Sequence, residues 1–147
     1  MKKTRPAIAA AIAVSAALLF TGCASGSAGS ATTAARDCGT LGSEVRDISN
    51  GAQNQLAGDL SDADAQSAAT EYLDSLGERT DKLEDTWKSD SKVSDALDKL
   101  GDSLDAAKDY VGTVPTDGSD PDADAQAKAT GDIQDAANGV NSACSSK

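Results

Sequence analysis

Residues 93–111 read Val-Ser-Asp-Ala-Leu-Asp-Lys-Leu-Gly-Asp-Ser-Leu-Asp-Ala-Ala-Lys-Asp-Tyr-Val. Val93, Leu97, Leu100, Leu104, Ala107 and Val111 recur at spacings of three and four, which puts them on one stripe of an α-helix. Asp95, Asp98, Asp102, Asp105 and Asp109, with Lys99 and Lys108, lie among the positions between them, so the predicted helix has an apolar side and a charged side. A half-buried strand would alternate with a period of two, and this stretch does not.

The same spacing occurs three more times on either side. Before it come Cys38, Leu41, Val45, Ile48, Ala52 and Leu56, then Ala65, Ala69, Leu73 (with Tyr72 beside it), Leu76, Thr80, Leu83 and Trp87. After it come Ala129, Ile133, Ala137, Val140 and Cys144. Four amphipathic helices joined by short connections predict an all-α fold, an up-down-up-down four-helix bundle over residues 37–147. The fourth stripe is mostly Ala and is the weakest of the four.

Turn and cap residues agree with this division. Gly58 fits just after the first helix and Gly112 just after the third. Ser61, three places before Asp64, resembles a capping box, and Asp120-Pro121 fits an N-cap with Pro at the first helical position. Ser89-Asp90-Ser91 offers caps for the third helix. Acid-to-Lys pairs at i,i+4 are expected at Glu78–Lys82, Glu84–Lys88, Asp95–Lys99 and Asp124–Lys128, each worth about 0.2–0.5 kcal/mol. Gly51, Gly77, Gly101, Gly131 and Gly139 fall inside the helices at about 1 kcal/mol each against Ala. They either permit close approach of neighbours or mark fraying.

The chain has 147 residues, 13 Lys plus Arg, 24 Asp plus Glu and no His, for a net charge of −11. This length bounds the fold to one domain. The lack of His removes imidazole bases, ligands and pH switches. The acidic balance argues against nucleic acid as a partner, because phosphate binding needs clustered Lys and Arg. Aromatics make up 3% of residues, which leaves few anchors for a deep ligand pocket. The alanine-rich stripes likewise leave little room for a pocket between helices.

The N-terminus reads as an address. Lys2, Lys3 and Arg5 precede an apolar run from Ala7 to Phe20 broken only by Ser15. The run is too short for a membrane span and has the form of a signal-peptide core. Leu19-Phe20-Thr21-Gly22-Cys23 then resembles the lipobox of bacterial lipoproteins, with Phe20 where Leu, Val or Ile is usual. That resemblance, confined to residues 1–23, implies cleavage after Gly22 and lipidation of Cys23 on sulfur. A diacylglyceryl Cys supplies the two chains that stable anchoring needs. The mature protein would then be held on the extracytoplasmic side of the cell membrane. Residues 23–36, small and polar after the Cys, form a tether with a reach of roughly 20 Å.

Without residues 1–22 the chain keeps 10 basic and 24 acidic residues, a charge of −14. High net charge with few aliphatics is a disorder signature. Helical spacing from residue 38 onward overrides it, and nothing overrides it in the tether.

Lipidation of Cys23 leaves Cys38 and Cys144, an even number in an exported chain. In an up-down-up-down bundle the start of the first helix and the end of the fourth meet at one end. A Cys38–Cys144 disulfide is therefore expected, worth up to about 4.7 kcal/mol in the chain-entropy model.

Two acidic stripes are the remaining candidate surface: Glu71, Asp74, Glu78, Asp81 and Asp85 on the second helix, and Asp98, Asp102, Asp105 and Asp109 on the third. They read as a surface for divalent cations or a basic partner, or as a solvated face keeping a small domain soluble; the solvated face is favoured. Residues 117–124 resemble a calcium loop, but an EF-hand started at Asp120 meets Ala125 and Gly131 where Gly and Glu are needed.

Asp62-Ala-Asp-Ala-Gln66 recurs as Asp122-Ala-Asp-Ala-Gln126, by duplication or, the favoured reading, by convergence on similar helix starts. Trp87 fits the core near a bundle end, with ligand binding as its other reading.

No nucleophile with a base, phosphate loop or zinc ligand set is present, so no enzyme, metal or cofactor is expected. The sequence favours an envelope interaction or structural protein, anchored by lipid and meeting a basic protein or cell-wall component. A small-ligand or cation-binding lipoprotein and an inhibitor or immunity-type lipoprotein are the alternatives.

Overall fold

A computed structural model describes residues 36–146. The expected signal peptide, the expected lipidation site Cys23 and the expected tether as far as residue 35 lie outside the described residues. Four helices follow one another: α1 Cys38–Leu56, α2 Ala63–Trp87, α3 Ser91–Thr113 and α4 Ala123–Ser145. Among the described residues there is no strand. The Ala-rich fourth stripe forms a helix of 23 residues, as long as α3.

Each helix starts on an aspartate. Asp37 accepts from the Thr40 amide at 2.8 Å, Asp62 from Ala65 at 2.8 Å, Asp90 from Val93 at 3.3 Å and Asp122 from Ala125 at 3.0 Å. A carboxylate in this position fills an orphan donor and complements the positive end of the helix dipole. This corrects two expected caps. Asp62 takes the place of Ser61, and Asp122 that of Asp120, which leaves Pro121 outside α4 rather than at its first position. Gly112 lies inside α3, with Val114 as its C-cap. Gly58 does follow α1, one place after the Ala57 cap. Among the described glycines only Gly118 has positive φ, so no helix ends on a left-handed glycine.

Contacts between helices run in opposite directions along each pair. From α1 to α2, Arg36 donates to the Thr86 carbonyl at 3.1 Å, Glu44 pairs with Arg79 at 2.7 Å, and Tyr72 lies over Gly51. From α1 to α4, Cys38 is bonded to Cys144, Gln53 donates to Gln134 and Gln126 donates to the Leu56 carbonyl. From α2 to α3, Asp74 pairs with Lys108 and Glu84 accepts from Ser94. The result is the expected all-α bundle, closed by the Cys38–Cys144 disulfide with Cα atoms 5.7 Å apart. Arg36, the last residue of the expected tether, is tied to the end of α2 and also donates to Ser89.

The core is built from the four stripes. Val45, Ile48, Leu73, Leu97, Leu100 and Ile133 are fully buried, and Trp87 closes the end of the bundle that holds the disulfide. Leu60, Tyr110 and Val114 join the core at the opposite end, although none belongs to a stripe read from the sequence. The buried polar side chains are satisfied locally: Thr80 donates to Leu76 O, Ser103 to Leu100 O, and Ser49 accepts from Gln53.

Gly51 is a close-approach position, since a Cβ there would come within 2.7 Å of the Tyr72 hydroxyl. At Gly77, Gly101, Gly131 and Gly139 a Cβ would meet nothing within 4 Å.

Three outcomes are expected. Replacing both Cys38 and Cys144 with Ala should lower stability by about 2–4 kcal/mol, measured by urea unfolding with Trp87 fluorescence as the probe. An unchanged midpoint would contradict a stabilising cross-link. Gly131→Ala, on an exposed helix position, should raise stability by about 1 kcal/mol. Gly51→Ala should gain less, because the Tyr72 ring must move aside.

Candidate functional site

The packing of α2 against α3 brings part of the two acidic stripes together. Asp74, Glu78 and Asp81 on α2 face Asp105 and Lys108 on α3 across a groove of about 390 Å³. Gly77 and Gly101 floor it, and their missing side chains are what open the space. In the sequence these glycines read either as places of close helix approach or as marks of fraying. The other acids diverge: Asp102 turns to the opposite side of α3, and Glu71, Asp85, Asp98 and Asp109 are exposed and line neither groove.

Lys108 is the only cation lining this groove. Its ammonium lies 2.7 Å from Asp74 Oδ1 and 2.7 Å from Asp105 Oδ1. The hydrogen bond to Asp105, then that to Asp74, holds the ammonium above its ordinary value of 10.5. A raised folded-state value means that its contribution is complete below about pH 10.5 and is lost only as the solution becomes more alkaline. At neutral pH the groove therefore contains one fixed cation and four carboxylates.

None of the four expected i,i+4 pairs closes to an ion pair among the described residues. Lys128 pairs forward with Asp132 instead of back with Asp124. Arg79 and Lys108 reach across to neighbouring helices, where antiparallel packing offers a carboxylate.

The acidic residues are strung along the seam rather than gathered at a point. Among the described residues, no three His, Cys, Asp or Glu side chains are placed to hold a metal ion. The loop before α4 has a different use for its acids. Asp117 accepts from the Ser119 hydroxyl and from the Ser119 amide at 3.0 Å, and these bonds hold its carboxyl below the usual range. Asp122 caps α4.

A second groove of about 740 Å³ runs along the outside of the α3–α4 seam. Small side chains shorten the distance between backbones in the core, and outside the core they leave a hollow.

Gln66 and Gln126, the last residues of the repeated pentapeptide, also acquire a role. Gln66 donates to the carbonyls of Leu60 and Val114 at 2.9 and 2.8 Å, and Gln126 to that of Leu56. Each glutamine satisfies a backbone oxygen where a neighbouring helix ends, so the repeat serves the same purpose at two helix starts. Trp87 is 2% exposed and belongs to the core, not to a binding surface.

Compared with protein-family models, curated proteins and solved structures, the chain matches none of them. Among the described residues, no helix is long and apolar enough to cross a membrane.

The balance at Lys108 can be tested. Lys108→Met should cost about 0.2–1 kcal/mol at low ionic strength, the range of solvent-exposed pairs. The loss should shrink at 1 M NaCl, where the Debye length falls to about 3 Å. Urea unfolding at both salt concentrations measures it; a loss independent of salt would assign Lys108 a packing role instead.

Proposed function

We propose that the chain is a membrane-anchored extracytoplasmic lipoprotein that acts as an interaction or structural protein of the cell envelope. The anchor reading rests on the basic start, the short apolar run and the Leu19–Cys23 segment. A disulfide between Cys38 and Cys144 suits an oxidising, extracytoplasmic space. The tether then carries the bundle away from the membrane, and an acidic bundle is repelled by anionic lipid headgroups. In this reading the lipid supplies the membrane affinity and leaves the protein surface for other contacts.

The observation that carries the interaction reading is the α2–α3 groove. Asp74, Glu78, Asp81 and Asp105 stand around a space floored by glycine, with Lys108 alone to balance them. Excess carboxylates in a shallow groove attract Lys and Arg side chains and speed encounter with a basic surface. A basic protein or a cationic cell-wall component is the partner this chemistry recognises.

Cross-linking in intact cells followed by mass spectrometry tests this reading. The expected result is a reproducible partner joined through α2 and α3, lost when Glu78 and Asp81 are changed to Lys. A small molecule retained through purification, with no cross-linked partner, would overturn it in favour of a binding module. The anchor is tested separately: Cys23→Ser should leave the precursor uncut or release the protein from membranes. Unchanged processing and fractionation would contradict the lipobox.

A further inference from the structure

The four seams of the bundle are not closed in the same way. The α1–α2 seam is crossed by the Arg79–Glu44 ion pair and the Arg36 bond to Thr86. The α2–α3 seam is crossed by Lys108–Asp74, and the α1–α4 seam by the disulfide and Gln53–Gln134. Among the described residues, no side-chain hydrogen bond or ion pair crosses from α3 to α4, although the two helices pack closely.

That unlatched seam is also where the larger groove lies. Ala96 and Ala106 of α3 and Ala136, Gly139 and Ala143 of α4 line its apolar surface. Ala96, Ala136 and Ala143 pack against the core with one side and face the groove region with the other. Asp95 and Asp102 stand on the α3 wall, and Asp132 and Asp135 on the α4 wall. Lys92 and Lys99 are the groove's cations, and neither forms an ion pair within the described residues. From Lys92 to Ala106 the wall runs about 21 Å at roughly 1.5 Å per residue, enough for four turns of a docked helix.

We infer that the α3–α4 groove is the docking site for a basic amphipathic helix of a partner protein. This rests on the interaction reading above and gives it a second, apolar contact. Alanine and glycine let a helix approach closely, and a Leu-bearing ridge fills the hollow that they leave. Carboxylates on both walls accept Lys and Arg from the flanks of that ridge, while Lys92 and Lys99 leave places for acids and so set its direction. Charge decides between occupants: the four carboxylates, of which Asp132 is paired with Lys128, outnumber Lys92 and Lys99, so a second copy would bring another strongly negative chain to a net negative groove, whereas a basic helix neutralises it.

The test is an NMR titration of the isotope-labelled full-length chain with three synthetic 15-residue peptides. One has Leu at i, i+3, i+4 and i+7 with Lys and Arg on its flanks. The second has the same composition with the apolar face scrambled, and the third has Glu in place of the basic residues. Saturable shifts at Ala96, Ala136, Gly139 and Ala143 are expected with the first peptide, at least tenfold weaker with the scrambled one and absent with the acidic one. Gly139→Trp should fill the groove from an exposed position, and Asp132→Lys with Asp135→Lys should reverse one wall. Each should weaken binding at least tenfold with the melting temperature kept within a few degrees.

Equal binding of the scrambled peptide, or undiminished binding by the folded variants, would overturn the inference. Shifts confined to Asp74, Glu78, Asp81 and Asp105 would overturn it too while leaving the acidic-surface reading intact. No binding by any peptide would count against both. Concentration-dependent shifts of the groove residues without peptide would assign the seam to a second copy and overturn the proposed occupant.

Discussion

The four helices carry 17 acidic side chains against 7 basic ones and so repel one another, and one narrow apolar stripe on each helix holds them in contact. Val45, Ile48, Leu73, Leu97, Leu100 and Ile133 give up all their exposure to that contact. The burial is favourable because it removes apolar surface from water, and it does not depend on salt in the way that the surface charges do. Everything else is arranged around it. The aspartate caps place negative charge where each helix is positive, and cross-seam cations such as Arg79 and Lys108 are set where two helices would otherwise oppose acids.

The stripes were legible in the sequence because their spacing of three and four is a geometric property of any α-helix. Val93, Leu97, Leu100, Leu104, Ala107 and Val111 are all buried. The disulfide was legible for a similar reason, since antiparallel connectivity alone brings Cys38 and Cys144 to one end. Leu60 and Val114 were not, because they sit beyond the helices and are buried by how the connections fold back. Tyr110 lies beside Val111 and just off the stripe, buried beside the connection that leads from α1 to α2 and the start of α4.

The candidate surface was legible only in part, for a reason of packing. Helical spacing shows which acids share a face, but not which face meets a neighbour. Asp102 and Asp105 are three residues apart and border different grooves, because α3 lies between α2 and α4. The choice of Asp74 as a partner for Lys108, 34 residues away, depends on the register of two helices that no local pattern encodes. Gly77 and Gly101 read in the sequence as places of close approach or of fraying, and they serve instead as the floor of a groove between their helices.

The position of the disulfide also gives the bundle a load path. Any tension drawn through the chain before Arg36 arrives at Cys38, the first residue of α1. In a bundle held only by side-chain packing, such a pull would peel α1 away one turn at a time, breaking contacts in sequence. Here Cys38 is covalently joined to Cys144, so the same pull is transmitted at once to the last turn of α4. To separate the helices it must shear two of them together along their length, with the Arg36 bonds to Thr86 and Ser89 bracing the end of α2 beside them. The end of the bundle where the chain enters is the covalently fastened one, and the end built around Leu60, Gln66 and Gln126 is held by packing and hydrogen bonds alone.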